Sequence, residues 1–372
     1  MAVPDQRDPE LTREILTRWL TDRLVDAAEV AVPHLETPTT SGFSAETLLF
    51  DAEWTSGTKR ISESLVAKVA PAHYQVFPDP LPYEHQYRLL KILEEHTDIP
   101  VPPIRWFEPD VALLGAPFFV IGRIEGDVPT DMPPYHSGGW VTGATPVVRE
   151  RMWWSGLEIL ARMHQLDPDT LGIGFLDRPD YGKTGLDQRL GYYTQYMSWA
   201  YHGPQPTAAR ALEWLRTNRP DEPDPPVLLW GDARIGNIIF RDAEPQAVLD
   251  WENAALGAPE EDLAWYMYLD RHHSEGINVD RLPGFPSYAD TIARYEELLG
   301  RPMRHMAYYE VLSGFKFAVI MARIGQAFID FELIDADSDF PSNNTASQLL
   351  ARILDLPMPG PTPGDPFAGG QS

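Results

Sequence analysis

Leu228-Leu229-Trp230-Gly231-Asp232-Ala233-Arg234-Ile235-Gly236-Asn237-Ile238-Ile239-Phe240 is a polar loop bracketed by two apolar runs, with Asp five residues before Asn and Arg between them. Seven residues beyond Phe240 a third apolar run, Ala247-Val248-Leu249, delivers Asp250-Trp251-Glu252. Short strand pieces of this kind, at 227–230, 238–240 and 247–249, hold a loop in place, and loops held on a rigid scaffold carry function. Two acids and one amide presented by adjacent strand–loop elements suit phosphoryl transfer. One carboxylate orients a hydroxyl, while the amide and the second carboxylate hold Mg²⁺ on a triphosphate. Asp232 or Asn237 alone reads as a turn cap; the combination with Asp250 is what points to chemistry.

Around this segment the pattern is helical. The runs 148–165, 190–201, 207–217, 260–271, 288–299 and 305–329 all carry a helical period of apolar residues. The amino-terminal part differs. Apolar spacing predicts a helix over 11–25 and another over 83–96, the second ended by Pro100, Pro102 and Pro103; β-prone runs lie at 47–54, 61–69, 104–107 and 118–124, with a turn at Gly57. The expected organisation is a helical extension over 1–34, a small α+β lobe over 35–126, a larger helical lobe over 127–356, and a mobile Pro/Gly tail over 357–372.

Lys and Arg number 30 against 55 Asp and Glu, a net charge of −25. That is the wrong sign for a protein that neutralises nucleic-acid phosphates or binds an anionic membrane surface. The chain has no cysteine, which excludes disulfides, thiolate metal sites and a Cys nucleophile. The start, Met1-Ala2-Val3-Pro4-Asp5, shows no basic segment followed by an apolar one, so a cytoplasmic location is expected. The near-apolar stretch Val111–Gly122 is too short and interrupted to cross a bilayer.

Asp232-x4-Asn237 followed by Asp250 resembles the catalytic and metal motifs of the aminoglycoside phosphotransferase and choline kinase-like group of small-molecule kinases. Gly257-Ala258-Pro259-Glu260-Glu261-Asp262-Leu263-Ala264 looks like the Gly-Asp-Pro…Asp-Leu-Ala stretch that follows in that group. Gly-Asp-x-Arg-x-Gly-Asn and then Asp-Trp-Glu are most similar to the phosphotransferases related to those fused to acyl-CoA dehydrogenases. The resemblance covers roughly residues 35–330 and implies an α+β, two-lobed protein-kinase-like fold, with a sheet-containing N-lobe and a mainly helical C-lobe.

Carried over by position, the resemblance makes Asp232 the catalytic base, Asn237 and Asp250 the Mg²⁺ ligands, and Arg234 a cation near the transferred phosphate. Lys68, in Leu65-Val66-Ala67-Lys68-Val69, would meet the α- and β-phosphates, although a lone Lys on an apolar strand is also read as snorkelling from an edge. Ser41-Gly42-Phe43-Ser44 stands where the phosphate-covering hairpin belongs. Backbone groups at Gly122 and Ile124 would read adenine. Two positions depart from the pattern: Trp230 stands where most members have His, and Gln86, with Glu84 on another helix face, stands where they have Glu. His164 reads as a satisfied core histidine and Asp262 as a brace for the loop. The aromatic run 192–201 lies where acceptor pockets are built but reads equally as core, and His272-His273 with Asp270 reads as a solvated helix end.

The implied activity is transfer of the γ-phosphoryl group of ATP, with GTP the alternative, to a hydroxyl of a small molecule. The acceptor could be an aminoglycoside, a choline-like amine alcohol or a hydroxyacyl compound. Trp230 and Gln86 keep a nucleotide-binding pseudokinase open, and a Mg²⁺-dependent phosphohydrolase is a third reading.

Overall fold

The computed structural model describes residues 7–38, 45–71, 74–221 and 224–362. The chain divides into two compact units: residues 1–77 with 81–125, and residues 78–80 with 126–372.

The amino-terminal unit is built on helix α1 (Pro9–Arg23), strands β1 (Ala27–Glu36), β2 (Glu46–Ser56) and β3 (Lys59–Val69), helix α2 (Tyr83–His96), strand β4 (Ile104–Glu108), the single turn α3 (Val111–Leu114) and strand β5 (Phe118–Gly122). The five strands form one antiparallel sheet in the order β1-β2-β3-β5-β4. β2 and β3 are a hairpin closed by Gly57 at φ +61°, the left-handed conformation expected of the first residue in a two-residue turn. Alternation along β2 buries Leu48, Phe50, Ala52 and Trp54 on one face. Leu65, Ala67 and Val69 of β3 and Phe118 and Val120 of β5 join the same core, and Leu16, Trp19 and Leu20 of α1 pack into it. Each Leu, Val or Phe among them contributes roughly 1.5–3 kcal/mol on burial. α2 packs Tyr83 against Phe119 in a tilted ring pair, and Phe119 faces the opposite side of β5 from Phe118 and Val120.

The structure therefore departs from the expected helical extension over 1–34. α1 covers the sheet and residues 27–36 are a strand of it. The strand was hidden because Ala27-Ala28-Glu29-Val30-Ala31-Val32-Pro33 is poor in β-formers. It is tolerated because β1 is an edge strand, where the missing N–H of Pro33 breaks no central ladder.

The carboxy-terminal unit contains α4 (Trp140–Gly143), α5 (Pro146–Met163), α6 (Pro168–Leu171), α7 (Gly185–Ala200), α8 (Pro206–Thr217), β6 (Val227–Leu229), β7 (Ile238–Arg241), β8 (Glu244–Val248), β9 (Ala255–Gly257), α9 (Pro259–His272), α10 (Tyr288–Leu299), α11 (Met306–Asp330) and α12 (Thr345–Ile353). β6 pairs with β9 and β7 with β8, both antiparallel. β9 and α12 were not anticipated from the sequence. α9 is buried almost all round and packs against α11. Among the described residues α11 is the one helix long and apolar enough to cross a membrane, and it packs on α7, α8, α9 and α12. The tail was expected to be mobile from Pro357, yet Gln348 Nε2 donates to the carbonyls of Gly360 and Pro361 (3.1 and 2.8 Å), tying down its first residues.

Candidate active site

β6 enters the polar loop at Trp230, a 3₁₀ turn at Ile235–Asn237 leaves it, and β7 begins directly after. Gly231 carries φ +86°, and a Cβ there would lie 1.9 Å from the carbonyl oxygen of Asn253, so the turn into Asp232 requires glycine. Asp262, at the start of α9 and fully buried, accepts the backbone N–H of Trp230 (2.6 Å, Oδ2) and of Gly231 (3.0 Å, Oδ1). His164 Nε2 donates to the same Oδ2 at 3.2 Å, and the Tyr295 hydroxyl pairs with His164 Nδ1. Asp262 thus braces the loop by its backbone, and His164 is a satisfied core histidine.

Within this frame Asp232, Arg234 and Asn237 meet. Asn237 Nδ2 donates to Asp232 Oδ2 at 2.7 Å and to the Asp232 carbonyl at 3.1 Å, and Arg234 Nε donates to Oδ2 at 3.2 Å. Asp250 joins through the backbone: Leu249 N–H donates to the Asn237 carbonyl at 2.8 Å, which sets the next residue beside the loop. Asp250 holds φ +57°, a left-handed conformation of the kind that persists only where surroundings over-determine it. The charges of Asp131, Asp232 and Asp250 all act on Arg234; burial opposes its charge, and these carboxylates outweigh burial and raise its pKa.

Trp230 occupies its unexpected position with a defined role. Its indole N–H donates to the Leu249 carbonyl at 2.8 Å, on the chain leading into Asp250. Only a donor is needed there, and a donor-only side chain provides it.

Asp131 and Trp265 were not found by sequence reasoning. Arg234 Nη1 donates to both oxygens of Asp131 (2.5 and 2.6 Å), and Trp265 Nε1 donates to Asp232 Oδ1 at 2.8 Å. Asp131 sits in a segment pinned at both ends. Asp127 exchanges backbone hydrogen bonds with Phe240 at 2.8 Å, while Tyr135 Oη and His136 Nε2 donate to buried Asp270 Oδ1 at 2.8 and 2.9 Å. Nothing local in the sequence marks either residue, because their partners lie 103 and 33 positions away.

The expected solvated helix end at His272-His273 is contradicted: both rings are buried, His272 against Thr345 at 2.9 Å and His273 3.8 Å from Asp131. The two rings meet each other edge to face at 5.5 Å, and α12 and the 127–136 segment cover them. Burial, chiefly, pulls each pKa down to about 3, against about 6.5 in the unfolded chain. Above pH 6.5 both states are neutral and the stability is fully present. As pH falls from 6.5 toward 3, only the unfolded chain takes up protons, so stability is lost by up to about 1.4 kcal/mol per pH unit per histidine. Urea midpoints measured from pH 7 to 5 are expected to fall, and less steeply in His273→Gln; equal slopes in both proteins contradict this.

In the amino-terminal unit, Lys68 lies on β3, the middle strand of the sheet, between Thr47 and Phe119 in register, so it is not an edge residue. Its Nζ donates to Thr47 Oγ1 at 3.3 Å. Gln86 does not serve as its helix partner: the side chain is buried and Nε2 donates to the Leu81 carbonyl at 2.7 Å. Glu84 is exposed. The N–H of Gly122 is taken by the Pro103 carbonyl at 2.7 Å, which removes it as a base-reading donor, whereas Ile124 carries no hydrogen bond to any described residue. Ser41, Gly42, Phe43 and Ser44 lie outside the described residues. The rings of Tyr192, Tyr193 and Tyr196 are buried and packed on one another as core. A cavity of about 290 Å³ is lined by residues from the starts of α7, α9 and α11, and none of Asp232, Arg234, Asn237 or Asp250 borders it.

The arrangement is that of a phosphotransferase. The sequence profile of the phosphotransferase enzyme family, APH, matches residues 38–302, and the chain belongs to that family. Among solved structures it is similar to a candidate aminoglycoside phosphotransferase from Ralstonia eutropha JMP134 (23% identity, TM-score 0.65, covering 91% of this chain and 95% of that one). It is also similar to aminoglycoside phosphotransferase APH(4)-Ia in ternary complex with ADP and hygromycin B (14%, TM-score 0.55, 91% and 98%). These likenesses establish the kinase-like fold. Among curated proteins it matches acyl-CoA dehydrogenase family member 11 of Homo sapiens at 29% identity over 297 residues, covering 75% of this chain and 37% of that protein. Family member 10 of Mus musculus matches at 26% over 251 residues, covering 64% and 22%. The chain spans about a third or less of the length of these relatives.

Proposed function

We propose that this protein transfers the γ-phosphoryl group of a nucleoside triphosphate, ATP in the first instance, to a hydroxyl of a small molecule. The observation that carries this reading is the convergence of Asp232, Arg234 and Asn237 in one hydrogen-bonded set, with Asp250 delivered beside it, in a chain of the phosphotransferase family. Solved structures of the same fold contain ADP, AMP-PNP or GDP, and one contains hygromycin B beside ADP; these support a nucleotide co-substrate and a small hydroxylated acceptor.

Asn237 and Asp250 would hold Mg²⁺. The donor set fits: one carboxylate and one carboxamide are hard oxygen donors, and an ion of this size completes its shell with phosphate oxygens and water. Asn237 spends its amide nitrogen on Asp232, and its amide oxygen accepts no hydrogen bond from any described residue. Among the described residues no group of three His, Cys, Asp or Glu could hold a metal ion by itself. When bound, the ion neutralises charge on the phosphoryl oxygens.

Asp232 accepts the proton of the acceptor hydroxyl as the new O–P bond forms and the bond to the β-phosphate oxygen breaks, releasing the nucleoside diphosphate. Arg234 offsets charge on the transferred group, and Ile124 offers backbone groups to the base. Asp250→Ala is expected to abolish Mg²⁺-dependent nucleotide binding in calorimetry; retained binding removes the metal assignment. ADP release on a panel of hydroxylated compounds with Mg·ATP and Mg·GTP tests the activity. Steady release with nucleotide alone identifies a phosphohydrolase instead. Gln86, bonded to Leu81 and uncharged, favours the second reading of nucleotide binding without turnover; acceptor-dependent ADP release that is lost in Asp232→Asn rules it out.

A further inference from the structure

An ionised aspartate offers about four acceptor positions, and at Asp232 three are filled. Both donors from its own loop, Asn237 Nδ2 and Arg234 Nε, fall on Oδ2. Turning the carboxylate about its last torsion, which is soft and two-fold, moves both oxygens, so donors on either one restrain it. Among the described residues the donor on Oδ1 is Trp265 Nε1 at 2.8 Å, and it comes from α9, outside the loop.

Trp265 is itself fixed. It is 3% exposed, its ring meets Phe317 edge-on at 6.0 Å, and the Lys316 ammonium lies 4.6 Å from the ring centroid, within cation–π range. Lys316 is buried and donates to Glu261 Oε1 at 2.9 Å, and Arg189 Nε donates to the same oxygen at 2.8 Å. Burial works against the Glu261 charge, but Arg189 and Lys316 outweigh it and hold its pKa down to about 2. Glu261 and Trp265 are four apart on α9 and anchor to α7 and α11, while Asp262 and Trp265, three apart, both grip the loop.

We infer that Trp265 is a positioning residue for phosphoryl transfer: its indole N–H holds Oδ1 of the Asp232 carboxylate from outside the loop and, with the two loop donors on Oδ2, leaves one acceptor position, on Oδ1, for the incoming hydroxyl. The inference rests on the phosphotransferase reading for its catalytic consequence, but the contact itself is measurable without turnover.

Trp265→Phe keeps the ring for Lys316 and deletes the N–H. The expected result is a fall in kcat of about 10–100-fold, the scale of a misplaced catalytic group, with the KM for nucleotide and the Tm nearly unchanged. A parallel loss of nucleotide affinity and Tm, or an unchanged kcat, overturns the inference. In ¹H–¹⁵N spectra the Trp265 indole resonance, assigned by its absence from Trp265→Phe, is expected to move upfield in Asp232→Asn, where a neutral amide replaces the carboxylate acceptor. An unmoved resonance overturns the inference whatever the protein's activity. Asp232→Asn with undiminished turnover defeats the phosphotransferase role of Asp232 instead, so the two failures are distinguishable.

Discussion

Asp232→Asn is expected to lower acceptor-dependent ADP release by about 10²–10⁴-fold, the usual contribution of a positioned base, while nucleotide binding in calorimetry changes little. The substitution is nearly isosteric, so the loop keeps its course through Gly231 and its anchorage on Asp262. What changes is chemical. The amide cannot take the hydroxyl proton, and its one oxygen faces three donors, Trp265 Nε1, Asn237 Nδ2 and Arg234 Nε, that the carboxylate divides between two. One donor must therefore confront the new NH₂ or turn away. Arg234 keeps Asp131 as its remaining carboxylate partner, which holds the cation in place. An unaltered rate in a matched assay would falsify the assignment of Asp232 as base.

The largest expected loss of stability follows Asp262→Ala: about 3–5 kcal/mol, read as a lower urea midpoint at an unchanged m-value. The carboxylate is fully buried and receives three donors, two of them backbone N–H groups that cannot rotate to new partners. Each buried donor left unmade costs about 1–3 kcal/mol, and the alanine also leaves a small void. Asp262→Asn keeps one acceptor oxygen and is expected to lose less than the alanine variant. A loss below about 1 kcal/mol in Asp262→Ala, less than the cost of a single stranded amide, would mean that the loop does not depend on this carboxylate.

Much of the site was legible because its chemistry is concentrated. Asp232, Arg234 and Asn237 fall within six residues, and Asp250 follows just beyond the paired strand, so residue type and spacing are enough. The helix and strand runs were legible wherever apolar periodicity was strong, as in α2 and α10. Side chains that reach the loop from afar left no such trace. Asp131 lies in a proline-rich segment without period, and Trp265 sits on a helix apolar on nearly every side, where its one polar atom cannot be told from core. Burial was the other blind spot. His272 and His273 read as a solvated helix end, and only the packing of α12 and the 127–136 segment shows them enclosed. Gln86 and Gly122 show a further limit, since position relative to a motif does not say where an amide or an N–H will be spent.

The outer strand β1 has a consequence for self-association. A long regular edge presents a row of open backbone donors and acceptors that a second molecule can extend. Here that row is broken by Pro33, by two shifts of register, and by Glu29 in a left-handed turn of the backbone. An incoming strand would meet missing donors and misaligned carbonyls, so this border of the sheet is guarded against fibrous, edge-to-edge growth.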